Sequence, residues 1–207
     1  MKKLCLLLGL VLGVSQAEAQ SSKSNTNRYY PNSVRFYALN AFVDGGVGVG
    51  LGYERLVSKD GKVGVSIPFH FGFRQEPNYM NNNTSNINNN AMMFNPGLKF
   101  YPSGQRKVNY AIGLSLFGLY ATDDRFDWDS NTAINRLVKR EIIRGGMLIN
   151  NSIQFNVGDR FNLGMELGLG PAYLNRERVN PNNTTYTTYN RGIDFMANFN
   201  MHVGIRF

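Results

Sequence analysis

The chain has 207 residues, a formal net charge of +8 and only 17% charged residues, against about 25% in a soluble domain. Mean hydropathy is −0.30, and no stretch beyond the N-terminus is continuously apolar, which excludes a helical membrane protein. The basic residues are scattered rather than clustered, so no nucleic-acid partner is expected despite a pI of about 9.7.

Lys2 and Lys3, the apolar run Leu4–Val14 and the box Ala17-Glu18-Ala19 form the three regions of a cleaved signal peptide, 1–19, with Gln20 as the expected mature start. The apolar run is shorter than the roughly 20 residues a spanning helix needs. Cys5 lies inside that run rather than after it, which argues against lipidation. Without residues 1–19 the net charge falls to +7, as Lys2, Lys3 and Glu18 leave, and no cysteine remains for a disulfide or a thiolate metal site. A polar leader, 20–32, follows.

From 33 onward, apolar and polar residues alternate with period two. A strand sends successive side chains to opposite faces, so such segments carry one apolar face. The pattern is weak in 33–43, where both candidate faces contain aromatics. In 47–57, Val47, Val49, Leu51 and Tyr53 oppose Gly48, Gly50, Gly52 and Glu54. In 63–74, Val63, Val65, Ile67, Phe69, Phe71 and Phe73 oppose Gly64, Ser66, Pro68, His70, Gly72 and Arg74. Weaker segments cover 91–102, 107–121 and 141–156. In 161–173, Phe161, Leu163, Met165, Leu167, Leu169 and Tyr173 oppose Glu166 and a row of small residues; 194–207 closes the set with Phe195, Phe199, Met201, Val203, Ile205 and Phe207 on one face.

Short connections at 58–62, 103–107 and 157–160 alternate with long ones at 75–90, 122–139 and 174–191. Tight turns on one side and long loops on the other are the outer-membrane pattern, with the turns periplasmic. The connection at Asp44-Gly45-Gly46 is short where a surface loop is expected. The expected fold is therefore all-β: an eight-stranded antiparallel up-and-down transmembrane β-barrel over 33–207. A lipocalin-like soluble barrel would turn the apolar face inward. Against it, the polar face is rich in Gly, Ser and Asn, which suit a narrow lumen, and the apolar face carries aromatics towards both ends, as at two bilayer interfaces.

The signal peptide, the strand rhythm, the ending His202-Val203-Gly204-Ile205-Arg206-Phe207 and the stretch FNPGLKFYPSG (94–104) resemble the small eight-stranded outer-membrane barrels of the OmpA-barrel, OmpX and OmpW type. The resemblance implies location in the outer membrane, contact with its lipid and lipopolysaccharide, and a C-terminal assembly signal of Val203, Ile205 and Phe207 read by the outer-membrane assembly machinery. The expected protein is a monomer, with no cofactor.

The inward face carries Glu54, His70, Arg74, Lys99, Arg144, Glu166, Asp194, His202 and Arg206. In a narrow barrel such groups are costly unless paired, and the expectation is a salt-bridged interior, with a proton or ion path as the competing reading. Glu54, Lys99 and Arg206 are expected to cluster near the periplasmic end, with Glu166, Asn150 and His202 deeper. The glycines of GVGVGLG (46–52) recur every second residue on one face, so they read as packing space and not as a phosphate loop. Some eight-stranded barrels modify lipid A, which needs a Ser nucleophile with a His base. Here Ser66 and His70 stand roughly 13 Å apart along one strand face, and no enzymatic activity is expected. Asp123, Asp124, Asp127 and Asp129 around Trp128 lack the Gly and closing Glu of an EF-hand loop and read as a solvated loop, with no metal. The expected role is structural or surface-interacting, with a narrow transporter for small solutes as the alternative.

Overall fold

The structure is a computed structural model that describes residues 30–76, 87–129, 134–180 and 187–207. The expected signal peptide and most of the leader lie outside the described residues. The strands are β1 (Asn32–Phe42), β2 (Gly46–Leu56), β3 (Val63–Glu76), β4 (Ile87–Phe94), β5 (Gly97–Phe100), β6 (Val108–Asp129), β7 (Ile134–Val157), β8 (Phe161–Asn180), β9 (Thr187–Asn190) and β10 (Asp194–Arg206). Pro96 has no amide hydrogen to offer, and it separates β4 from β5. The ladder nevertheless runs through the gap: the Asn95 amide donates to the Pro68 carbonyl at 3.2 Å and the Leu116 amide to the Pro96 carbonyl at 2.9 Å. β4 and β5 are thus one stave, as are β9 and β10, which both pair with β8. β10 also pairs antiparallel with β1 from Ser33↔Arg206 to Phe42↔Asn198, which closes eight staves into a ring.

Closure leaves no unpaired edge in lipid, where a lone amide or carbonyl would have no water to bind. The outer belt is apolar: Leu51, Phe69, Phe71, Leu114, Leu116, Leu167 and Met201 are all exposed. Tyr53, Phe100, Phe155, Phe161 and Phe207 are exposed towards the short-turn end, and Phe73, Tyr120, Tyr173 and Phe195 towards the other. Tyr110 is half-buried and donates its hydroxyl to Asn151 Oδ1 at 2.7 Å. Three tight turns close one end, the end expected from the loop pattern to be periplasmic. Gly61 (φ 68°) and Gly158 (φ 65°) take the left-handed backbone two of these turns require.

Two bulges explain where the alternation fails to declare itself. In β1, Ala38 and Leu39 stand against a single position of β2, since Tyr37 pairs Gly50 and Asn40 pairs Gly48. The extra residue reverses the parity: Ser33, Arg35 and Tyr37 point inward below it, and Asn40 and Phe42 above it. The even positions of 33–43 therefore hold an outward aromatic, Phe36, and an inward one, Phe42, while the odd positions hold the inward Tyr37. In β8, Tyr173 is the extra residue between Ala172↔Gly146 and Leu174↔Gly145. Below it Glu166 points inward; above it Asn175 and Glu177 do, while Arg176 faces out.

The long connections are shorter than expected. β6 and β7 pair without a break from Val108↔Phe155 to Asp129↔Ile134, and at 22 and 24 residues they are about twice as long as the ~10 residues a bilayer requires. Most of 122–139 is thus strand, and so is most of 174–191, as the outer part of β8 and β9. Above the membrane neither face must be apolar, so the period-two signal disappears there although the hydrogen-bonded ladder continues.

Candidate functional site

The lumen is filled in layers, described from the periplasmic end outward. The lowest holds four charges from four staves. Arg35 (β1) contacts Glu54 (β2) at 2.8 Å, Lys99 (β5) lies 3.6 Å from Glu54, and Lys99 pairs with Glu166 (β8). Tyr101 donates its hydroxyl to Glu54, and Arg35 donates to Gln154 Oε1 of β7 at 3.0 Å. All are buried. Two cations and two carboxylates cancel, which is the condition for placing ions in a closed lumen. Arg206 does not join this cluster as expected. Its guanidinium donates to the backbone carbonyls of Asp159 at 3.1 Å and Gly158 at 3.5 Å, because it sits past the last inward turn of β10, level with the rim.

Above the ions lies a neutral polar layer. His70 and His202 are buried and flank the Tyr37 ring edge-on, at 4.7 and 5.5 Å between centroids. Asn40 donates to Asn200 at 2.5 Å, and Asn150 to Ser115 at 2.7 Å. Glycines make room for these side chains. A Cβ on Gly50 would stand 2.6 Å from His70 Nδ1, one on Gly164 2.4 Å from His202 Cε1, and one on Gly52 2.8 Å from Tyr37 Cε2. The glycine row of 46–52 is therefore occupied space. The gap bordered by Ser66, Asn95, Lys99, Ser115, Asn150 and Glu166 is too narrow for a water molecule.

The third layer is apolar: Phe42, Met93, Phe117, Leu119, Leu148 and Met196, with alanines between them. This layer is absent from the sequence expectation, which assigned the interior to polar and small residues. Phe117 and Leu119 sit at inward positions of β6 and Leu148 at one of β7, and that is why 107–121 and 141–156 alternate weakly.

Two ion clusters cap the apolar layer. Arg144 (β7) bridges Asp44 at 2.7 Å, in the β1–β2 turn, and Asp194 (β10) at 3.1 Å. Arg140 joins Asp123 (β6) at 2.6 Å and Glu177 (β8) at 3.0 Å, and Arg191 reaches Glu177 at 2.5 Å. Asp123 is thus a buried strand residue with partners, which corrects the reading of a solvated loop; the side chains of Asp127, Trp128 and Asp129 lie outside the described residues. Asn89 donates to Asp123 at 2.7 Å and accepts the Asp124 amide at 3.0 Å, so its side chain bridges β4 to β6 where the strand ladder between them stops at Asn90↔Thr122. Arg74 lies at the outer end of β3, opposite Asn89. Arg140→Met is expected to loosen the extension without changing the barrel's global unfolding. Tryptic cleavage at Arg125 or Arg136 should accelerate about tenfold, the effect of ~1.4 kcal/mol on a local opening.

Parity on regular strands places Glu54, Lys99 and Glu166 inside, but Glu166 joins the lowest cluster through Lys99 rather than lying deeper with Asn150 and His202 as expected, because the long Lys99 side chain spans the two levels. Arg35, Tyr37 and Tyr101 were missed: the bulge concealed the first two, and Tyr101 follows the last residue of β5. Among the described residues no group of three or more His, Cys, Asp or Glu could hold a metal, and neither ring nitrogen of His70 or His202 has a hydrogen-bond partner. Val203, Ile205 and Phe207 all face outward at the end of the chain.

A closed antiparallel barrel with an uncharged apolar belt outside and ions within is the fold of an outer-membrane β-barrel protein, and a bilayer is the surrounding that its belt demands. The sequence matches no protein-family model and no curated protein. The fold is similar to that of a major outer membrane protein from Thermus thermophilus (TM-score 0.60, 11% identity, covering 87% of this chain and 100% of that one). It is also similar to AlkL in lipid bilayers (0.51, 10%, 92% and 96%) and to Ail, the attachment invasion locus protein of Yersinia pestis (0.50, 13%, 87% and 100%). The chain has the fold of a small outer-membrane β-barrel.

Proposed function

We propose that this barrel is a monomeric, non-conducting structural component of the outer membrane whose β6–β9 extension presents a polar surface to the exterior. The observation that carries the reading is the stacking of an ion cluster under an apolar layer inside one lumen. An ion crossing the barrel would have to displace the first and shed its water in the second. The expected result in planar bilayers is no step conductance from the refolded protein. Discrete channel openings would overturn the reading in favour of the narrow transporter.

Absence of catalysis is part of the proposal. It is supported by the lack of a hydroxyl hydrogen-bonded to either histidine among the described residues, and expression of the protein should leave the acyl chains of lipid A unchanged. Lipopolysaccharide is the proposed outer partner. Lys139, Arg176 and Arg178 face outward on β7 and β8 above Tyr173 and Leu174, a set of cations suited to anionic headgroups. Val203, Ile205 and Phe207 are the proposed contact for the assembly machinery, a reading that a lower folded yield of Phe207→Ala in cells, with unchanged refolding in detergent, would support.

A further inference from the structure

The charge of the chain is distributed unevenly along the barrel axis. The extracellular end, from Asp44 and Arg74 outward, holds nine basic and nine acidic residues, and the lumen cluster holds two of each. The periplasmic rim holds seven basic residues against only Asp60 and Asp159, and the leader adds Lys23 and Arg28. Among the described residues the net charge of +5 therefore resides at one end. Six of the rim cations, Arg55, Lys59, Lys62, Arg106, Lys107 and Arg160, are exposed.

These cations stand beside the apolar belt. Arg55 occupies the lipid-facing side of β2 two residues beyond Tyr53, Arg160 immediately precedes the exposed Phe161, and Lys59 lies two residues beyond the exposed Val57. Arg160 also rests over the Tyr30 ring at 5.9 Å. The rim is held as a unit. The Tyr101 amide donates to the Lys62 carbonyl at 2.7 Å, the Asn156 amide to the Lys107 carbonyl at 2.8 Å and the Arg206 amide to the Arg160 carbonyl at 2.7 Å. Lys62 approaches Asp60 at 3.5 Å, but both are about half exposed and such a pair holds weakly against solvent.

We infer that this rim is a docking surface for the phosphates of anionic phospholipids in the periplasmic leaflet. A belt-side cation reaches a headgroup without leaving the interface, and fixed turns hold the charges in place before a lipid arrives. An acidic soluble partner would instead be met by cations on the turn tips alone. The inference rests only on the barrel spanning a membrane, not on its closed lumen or its outer surface.

The test is the relative association of spin-labelled phosphatidylglycerol and phosphatidylcholine with the barrel refolded in phosphatidylcholine vesicles, read by electron spin resonance. A preference for phosphatidylglycerol of about two- to fivefold is expected at low salt, falling towards one as salt screens the rim. The variant R55Q/K59Q/K62Q/R106Q/K107Q/R160Q should lose most of it, while K139Q/R176Q/R178Q should keep it. If the sixfold variant does not show the heat-modifiable gel shift of a folded barrel, K59Q/K62Q, confined to one turn, should still lower the preference. No preference in the parent protein, or one unchanged in the folded rim variants, overturns the inference.

Discussion

Replacing Glu54 with alanine is expected to lower barrel stability by about 3–5 kcal/mol, the cost of removing one partner from a buried ion pair. Arg35 and Lys99 would then share the single carboxylate of Glu166, and the Tyr101 hydroxyl would lose its acceptor. The measurement is the urea midpoint of the refolded protein, with the temperature of its gel-mobility conversion as a second reading. Glu166→Ala should act in the same direction. The double variant Arg35→Met/Glu54→Leu removes both charges of the 2.8 Å pair and should recover most of the loss, because an apolar replacement of a whole buried pair is often neutral. Single-variant midpoints equal to the parent's would show that the cluster does not hold the staves together. Glu54→Ala should still be closed to ions, since the Phe117–Leu148–Met196 layer is untouched; currents in this variant would make the ion cluster the sole seal.

The second large effect is expected at Gly48. A Cβ there would stand 1.7 Å from the Phe71 carbonyl oxygen and 2.8 Å from Gly72 Cα. These are backbone atoms of the paired strand β3, and no side-chain rotation relieves them. Gly48→Ala must spread the β2–β3 ladder, at a cost of about 3 kcal/mol or more, the upper end of core overpacking. Gly64→Ala is the matched control. Its nearest neighbour would be Leu56 Cδ2 at 3.4 Å, an ordinary contact, so its midpoint should move by less than about 1 kcal/mol. Equal midpoints for the two variants would mean that β2 and β3 lie farther apart than the structure has them.

These two sites show how far the sequence could be read and where it stopped. The rows Val63–Phe73 and Phe161–Leu169 declare one apolar face by alternation, and the small residues opposite it, with aromatics towards both ends, turn that face to lipid. Parity then places Glu54, Lys99 and Glu166 inside. Arg35 escaped because one extra residue at Ala38–Leu39 gives β1 two phases. The apolar layer escaped because Phe117, Leu119 and Leu148 break the contrast between faces: an inward leucine and an outward one look alike in a list of residues. The outer strands escaped because the period-two code is imposed by the bilayer, and β6 to β8 continue beyond it.

The extra residue at Tyr173 has a practical consequence for anyone rebuilding this barrel. It works as a frame-shift in space: strand β8 reads in one phase against lipid and in the opposite phase above it. The outward positions of β8 above the slip, such as Arg176 and Arg178, can be recoded without shifting the phase of the lipid-facing part of the strand, whereas deleting that one residue would carry Glu177 out to the lipid side and swing Arg176 into the lumen. A graft of foreign surface loops onto this scaffold should therefore be joined above the slip, never below it.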